Sequence, residues 1–310
     1  MNTTLLRAVF VGLAALLLSC PADAVFRAYL SSGGNDSNPC TLQQPCRLLP
    51  AALAAVDDGG DIWMLDSANY NTGTVTIAKS VTILAAPGVL GSVVGNGGDA
   101  IYIDAPGKEV TLRNLLIRRL SGNVSGIVLA NASIVTIDSC VVTGFSSASL
   151  FGYGIFVGGA MTFTVSNSTF RNNGTSAINV TGAAKGSITG TKIVGPGYVG
   201  IWATPAAAST AIRMAIVDCE VSGYTYAYSI LSGTNVIMTV SRSVALNNYA
   251  GFWQQGSAGS LMSVSNSVAS GNDYGFMNYG YGGVFESLKN NHYAGNTYPA
   301  SGNITAGTPQ

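Results

Sequence analysis

A repeat of 23 to 28 residues constrains the fold of this 310-residue chain more than any other feature. It is clearest in segments 240–243 and 264–267, which both read Val-Ser-x-Ser. Aligned on the last serine, the units give the column Leu115, Cys140, Ser168, Thr191, Cys219, Ser243, Ser267 and Asn291. Four residues later, seven of the eight positions hold Gly or Asn, which tolerate a positive φ. A second column, Gly or Ala before an apolar residue, runs in step at Ala100, Gly126, Gly154, Ala177, Gly200, Ala227, Gly251 and Gly275. Two columns in step over eight units predict a solenoid.

Each unit has the pattern of strands. Around Met262 and Val264, apolar residues two apart alternate with polar ones, which is the period of a β-strand. Units of this length leave no room for a crossover helix between parallel strands. The sequence therefore predicts an all-β coil of about eight or more turns, here called rungs. We expect regular rungs over residues 100–297 and a fraying C-terminal tail over 298–310.

Residues 1–24 have the pattern of a secretory signal peptide. Arg7 supplies the positive charge, residues 8–18 form the apolar segment, and an Ala-x-Ala site ends at Ala24. An alternative is lipid attachment at Cys20, because residues 17–20 resemble a lipobox. The sequence thus predicts export to the periplasm, the medium or the cell surface, with lipid anchoring as the alternative. No later segment is long and apolar enough to span a membrane.

Residues 25–99 are predicted to form an N-terminal cap and the first coils. A strand is expected near 26–30, and a polar loop follows in which Cys40 and Cys46 are predicted to form a local disulfide. Two unpaired thiols in that loop are the alternative. A helix at about 47–56 has apolar residues at helical spacing, and the acidic and glycine residues at 57–60 are expected to turn the chain and end it. This helix would cover the open end of the coil.

The order of these elements resembles that of a known family. A short helix, then Gly-Gly-Asp-Ile at 59–62 and Val-Thr-Ile-Ala-Lys-Ser-Val-Thr-Ile at 75–83, is similar to the opening of right-handed parallel β-helix proteins. With Gln-Pro-Cys at 44–46 ahead of it, the chain resembles a bacterial exported group with the pectate-lyase-like fold and mostly undefined function. Relatives of that fold include pectate lyases, polygalacturonases and alginate-modifying enzymes. The motifs typical of polygalacturonases and alginate epimerases are absent from this sequence.

An aromatic stripe is the main candidate for ligand binding. The outward position after the Gly/Ala marker reads Tyr102, Val128, Phe156, Asn179, Trp202, Ser229, Trp253 and Met277, and tyrosines recur near the preceding corner. Exposed aromatic rings on a rigid sheet can stack on sugar rings, and tyrosine hydroxyls can form hydrogen bonds with them. The predicted ligand-binding residues are Tyr102, Trp202, Tyr226, Tyr249, Trp253 and Tyr274. The stripe could instead contact protein, or be covered by loops.

Asp218 and Glu220 are the candidate catalytic pair. If they lie two positions apart on one strand, their separation of about 6 to 7 Å fits either glycosidase geometry. In the repeat alignment, however, Arg242 is one rung from Asp218 and Lys192 one rung from Glu220, which favours structural ion pairs. The sequence indicates no metal site or cofactor. Ca²⁺ would need a carboxylate cluster, which the repeat alignment does not provide.

Cys140 and Cys219 share one column, three rungs apart. At about 4.8 Å per rung they are too distant for a disulfide, so we predict two buried free thiols.

The charge balance restricts the possible partners. The formal net charge is zero and only 9% of residues are charged, which argues against nucleic acid and anionic membrane as main partners. Three hypotheses remain: a non-catalytic protein that binds a glycan or cell-surface partner, a polysaccharide lyase or glycoside hydrolase with non-standard residues, and a structural protein that self-associates.

Overall fold

The structure is a computed structural model that describes residues 25–122, 125–146 and 152–307. The predicted signal peptide, with Cys20 and its lipobox alternative, lies outside the described residues. Within these ranges, no helix has the length and hydropathy needed to cross a bilayer.

The described chain winds into a parallel β-helix with three faces, as the repeat predicts. Face 1 is a twelve-stranded sheet within the described ranges, and each of its strands pairs in parallel with the equivalent strand of the next rung. Its strands are β1 (Val25–Leu30), β2 (Val56–Met64), β5 (Val81–Ala85), β8 (Glu109–Arg113), β11 (Ile134–Asp138), β14 (Met161–Ser166), β17 (Ala184–Thr189), β19 (Ile212–Val217), β21 (Val236–Ser241), β24 (Leu261–Ser265), β27 (Val284–Ser287) and β29 (Ile304–Ala306).

Faces 2 and 3 belong to a second sheet, with seventeen strands in the described ranges. Face 2 contains β3 (Ala68–Asn69), β6 (Gly91–Asn96), β9 (Leu115–Ser121), β12 (Val141–Thr143), β15 (Thr169–Arg171), β22 (Val244–Leu246) and β25 (Val268–Ser270). Face 3 contains β4 (Val75–Ile77), β7 (Ile101–Asp104), β10 (Ile127–Asn131), β13 (Tyr153–Val157), β16 (Ser176–Val180), β23 (Ala250–Gln255), β26 (Tyr274–Asn278) and β28 (Tyr298–Ser301). Two twelve-residue strands, β18 (Lys192–Ala203) and β20 (Glu220–Leu231), bend from face 2 into face 3 and so join the two faces.

Two columns of positive φ turn the chain at the corners of most rungs. The predicted column is confirmed at Gly144, Asn172, Gly223, Asn247, Gly271 and Gly295, but not at Gly195, which precedes Pro196 and has no positive φ. A second column, which the sequence analysis missed, lies just before the aligned serine position, at Asn114, Ser139, Asn167, Gly190, Asp218, Arg242 and Asn266. Left-handed backbone in non-glycine residues is uncommon, so its repetition at one place shows that the rung geometry demands it.

The aligned serines form a buried hydrogen-bond ladder next to this second corner. The hydroxyls of Ser243 and Ser267 donate to the carbonyls two residues earlier, at 2.9 and 2.7 Å. Each also accepts the backbone N–H of the rung before it, from Cys219 at 3.1 Å and from Ser243 at 3.2 Å. The Val-Ser-x-Ser repeat therefore satisfies backbone groups at a buried corner and explains why small polar residues recur there.

A second ladder, of asparagines, lies at the other corner. Buried Asn248 and Asn272 each donate a side-chain hydrogen bond to a backbone carbonyl, at 3.3 Å to Val221 and 3.1 Å to Ala245. The side-chain oxygen of Asn272 accepts from the backbone N–H and the side chain of Asn248, and Asn296 does the same for Asn272.

The N-terminal cap is present with small corrections. Helix α1 (Leu49–Ala55) buries Leu49, Ala52 and Leu53 against the first rungs. The Cys40–Cys46 disulfide is confirmed, with a Cα–Cα distance of 4.6 Å. The predicted turn after the helix is wrong, because β2 begins directly at Val56 and contains residues 57–60; the pairing register between β1 and β2 shifts there.

The C-terminal segment also differs from the prediction. Instead of fraying, β28 pairs with β26 and β29 pairs with β27, so the described part of the predicted tail continues the coil. The segment is short and rich in Gly and Thr, and it supplies few apolar residues for the strand pattern to reveal.

The two internal cysteines are free and buried, as predicted. Burial raises the pKa of Cys140 to about 12 and that of Cys219 to about 11, so both remain neutral thiols. They occupy serine-ladder positions, and the thiol of Cys219 makes a 3.3 Å contact with the carbonyl of Val217.

Candidate functional site

Five tyrosines on successive rungs form a continuous row on the outside of face 3. We call Tyr198, Tyr226, Tyr249, Tyr274 and Tyr298 the tyrosine ladder. The centroids of successive rings are 5.3, 5.8, 5.3 and 4.9 Å apart. These distances are close to the spacing of parallel strands, about 4.8 Å, because each rung contributes one ring. Tyr226, Tyr274 and Tyr298 stand at equivalent positions of the strand register, whereas Tyr198 and Tyr249 each lie one residue before that position.

The ladder rings differ in exposure. Tyr198 and Tyr249 are 39% exposed and Tyr298 is 53% exposed, whereas Tyr226 and Tyr274 are half-buried between them. Tyr226 meets Tyr198 and Tyr249 edge-on, at interplanar angles of 87° in both pairs. Burial, and then the phenols of Tyr198 and Tyr249, raise the pKa of Tyr226 to about 12. The hydroxyl of Tyr226 is thus protonated at neutral pH and remains available as donor and acceptor.

Trp253 is placed differently from what the sequence predicts. Its register is as expected: Trp202, Ser229, Trp253 and Met277 are neighbours on successive rungs of face 3. However, Trp253 is only 5% exposed, because Tyr226 stacks on it with ring centroids 3.8 Å apart and planes at 17°. The expectation that Trp253 is an exposed stacking residue is wrong in this respect. The ring of Trp253 instead packs beneath the ring of Tyr226.

The structure brings five of the six predicted ligand-binding residues together. Trp202 contacts Tyr198 edge-on at 5.8 Å, and Trp253, Tyr226, Tyr249 and Tyr274 form the rest of the group. Tyr102 is separate, since three residues of its column, Val128, Phe156 and Asn179, lie between it and Trp202.

The predicted ligand-binding residues omit two members of the ladder: Tyr198, which is one of the tyrosines that recur near the corner, and Tyr298. The tyrosines at 226, 249, 274 and 298 follow one another at repeat spacing, and this signal would have identified Tyr298 if the repeat had been extended past residue 297.

Three polar atoms beneath the ladder have no hydrogen-bond partner among the described residues. They are the indole nitrogens of Trp202 and Trp253 and the hydroxyl of Ser229, which lies between the two tryptophans in the register. A buried polar atom without a partner costs about 1 to 3 kcal/mol. These atoms are covered by neighbouring side chains, so in this arrangement they are not accessible to a ligand.

The candidate carboxylates are held in ion pairs, as the alignment indicates. Arg242 donates to both oxygens of Asp218, at 2.8 and 3.0 Å, and Lys192 lies 3.1 Å from Glu220. The hydrogen bond from Arg242 lowers the pKa of Asp218, which opposes a role as general acid.

The assumed geometry of this pair is wrong. Asp218 lies in the corner between β19 and β20 with φ 55°, so it does not share a strand with Glu220 and the strand spacing does not apply. Within the described ranges, no group of three or more His, Cys, Asp or Glu side chains could hold a metal ion.

Comparison with known proteins identifies the fold. Residues 125–298 match the family model described as a right-handed β-helix region. No curated protein matches the chain.

Solved structures with the same fold include carbohydrate-active enzymes. The pectate lyase Pel9A has a TM-score of 0.58 at 16% identity, over 93% of this chain and 79% of its own. A family 136 lacto-N-biosidase from Eubacterium ramulus has a TM-score of 0.54 at 11% identity, over 91% and 68%. An alginate lyase from Paenibacillus sp. str. FPU-7 has a TM-score of 0.53 at 14% identity, over 90% and 99%. At these identities the likeness concerns the fold alone.

Proposed function

The chain belongs to the right-handed β-helix family, and we propose that it is an exported, non-catalytic member that binds a glycan along the tyrosine ladder. The observation that carries the proposal is the ladder itself, five rings on consecutive rungs of a rigid sheet. A row of this kind offers repeated apolar surface for the faces of sugar rings, with hydroxyls at regular intervals. A polymer lying along the coil axis would meet one tyrosine at each of these rungs, from one of two adjacent register positions.

The arrangement of the carboxylates supports binding over catalysis. Asp218 and Glu220 each lie beside a cation of a neighbouring rung. Asp218 also belongs to the column of corner residues with positive φ, so the turn of the backbone accounts for a polar residue at this position. The Cys40–Cys46 disulfide supports export, because disulfides persist mainly in oxidising compartments.

The test is retardation of the purified protein in native gels that contain soluble polysaccharides. We expect at least one polysaccharide to retard the wild type. Tyr249→Ala and Tyr298→Ala should each weaken the association about 2- to 10-fold, the size of an aromatic contact of ~0.5–1.5 kcal/mol. Phe26→Ala is the matched control, because Phe26 is 65% exposed on face 1 and should leave retardation unchanged.

Three results would contradict the proposal. Retardation that both ladder variants preserve would place binding elsewhere. Cleavage of the polymer that Asp218→Asn abolishes would make the protein an enzyme. A concentration-dependent dimer that Tyr249→Ala dissociates, with no polymer bound, would favour self-association through the same aromatic surface.

A further inference from the structure

The rungs that carry the tyrosine ladder are almost without charge on that side. In each of these rungs the chain runs from face 2, through face 3, to the start of the next face 1 strand. These segments, residues 193–212, 221–237, 244–262, 268–285 and 293–306, contain one charged side chain, Asp273. The acidic and basic residues of the same rungs lie elsewhere. Arg213 is on face 1, Asp218 is at the corner between faces 1 and 2, and Lys192 is the first residue of the strand that follows this corner.

This distribution limits the ligand. A polyuronate carries a carboxylate on every sugar, and each carboxylate brought against apolar rings must be paired or lose hydration at high cost. The ladder offers no Lys or Arg for such pairing, and Asp273, next to Tyr274, would repel an anion.

The polar groups that the ladder does offer are neutral. They are the tyrosine hydroxyls, and burial is the main cause that raises the pKa of Tyr226 and of Tyr274. Uncharged donors and acceptors suit the hydroxyls of a sugar and do not need a counter-charge.

We propose that the tyrosine ladder binds a neutral glycan and discriminates against polyuronates, although pectate and alginate lyases share its fold. This inference rests on the proposed function, because it names the class of ligand for the same surface.

The experiment compares neutral with acidic polymers in the same gel assay. The neutral probes are xylan, hydroxyethylcellulose and galactomannan, and the acidic probes are polygalacturonate and alginate. We expect a neutral polymer to bind at least about tenfold more tightly than either acidic one, because of the unpaired carboxylates. Neutral binding should also stay constant from low to molar salt, since no ion pairs are involved.

Asp273 provides the matched pair of variants. Asp273→Lys places a cation beside Tyr274 and should increase the binding of polygalacturonate several-fold, while Asp273→Asn should change neutral binding by less than about twofold.

The outcomes separate the two proposals. If polygalacturonate or alginate binds more tightly than every neutral polymer, and Tyr249→Ala weakens that binding, the inference of a neutral ligand is wrong and the ladder is still a glycan-binding surface. If none of the five polymers binds, both proposals fail.

Discussion

At the scale of single residues, Asp66 ties the first coil to the loop that precedes the cap. Its carboxylate accepts hydrogen bonds from the hydroxyls of Ser31 and Ser32, from the backbone N–H of Ser32, and from the hydroxyl of Tyr70. Partial burial alone would raise the pKa of Asp66, but the hydrogen bonds from Tyr70, Ser32 and Ser31 outweigh it and lower the pKa to about 2. The charged form therefore stabilises the folded state.

This pKa predicts how the cap responds to acid. Because the folded pKa lies below the unfolded value of 3.8, the stabilisation is complete above about pH 4 and is lost as the pH falls toward 2. Asp66→Asn should lower the melting temperature at pH 6, and should make the melting temperature fall less between pH 4 and 2 than in the wild type.

Thermal denaturation at several pH values measures the effect. The control is Asp273→Asn, an exposed carboxylate that should leave the acid response unchanged. An Asp66→Asn variant with the wild-type acid response would contradict the assignment.

For single residues, the sequence predicts which side chains lie side by side better than it predicts how exposed each side chain is. The Asp218–Arg242 and Glu220–Lys192 pairs follow from the repeat alone, because register fixes which side chains lie side by side. The burial of Trp253 could not be predicted, since it depends on the rotamer of Tyr226 from the previous rung. The hydrogen bonds of Asp66 join two loops that no repeat relates.

At the scale of structural elements, the asparagine ladder holds the corner that precedes the tyrosines. Asn272 accepts two hydrogen bonds from Asn248 and donates to the carbonyl of Ala245 and to the side chain of Asn296. Replacing it would remove the side-chain partner of two backbone groups of the preceding rung, the N–H of Asn248 and the carbonyl of Ala245.

Asn272→Ala should reduce the free energy of unfolding by about 3 kcal/mol, because unpaired buried groups cost ~1–3 kcal/mol each. Urea denaturation followed by far-UV circular dichroism measures it. Asn247→Gly is the control: Asn247 is exposed with φ 54°, which glycine adopts readily, and the change should stay within about 0.5 kcal/mol. Equal losses in both variants would show that the corner, rather than the buried amide, determines stability.

The corners of the rungs and the two ends of the coil show where the sequence predicts structural elements well and where it does not. One corner is visible in the sequence because Gly and Asn dominate it. The other is less visible, because Ser139, Asp218 and Arg242 interrupt a column whose remaining members are Gly or Asn. Helix α1 was predicted to within two residues at its start and one at its end, and β28 and β29 were missed because their pairing is set by the preceding rungs.

At the scale of the whole molecule, the rungs from Cys219 to Asn291 repeat at intervals of 24 residues. Deleting residues 244–267 joins Ser243 to Val268, which continues the same register because Val244 and Val268 are paired. The shortened protein should fold with unchanged β-sheet content and a somewhat lower melting temperature, because each rung contacts only its neighbours.

Circular dichroism and a cooperative melt test the deletion. Removing residues 244–255 instead should prevent folding. This deletion removes the face 3 strand β23 but keeps the face 1 strand β24 of the same rung, so the strands that follow lose their pairing register. If both deletions behave alike, the rungs are not independent units. The shorter ladder lacks Tyr249, so polymer retardation should fall as in Tyr249→Ala.

The equal 24-residue intervals also bear on how such a surface could change in evolution. An in-frame duplication of residues 244–267 inserts Asn248, Tyr249 and Ser267 a second time, each at the position that it already holds in its rung. The coil is lengthened and its contact row extended in the same event, with no new corner to be selected. Ligand length would then be a heritable trait that varies in whole-number steps.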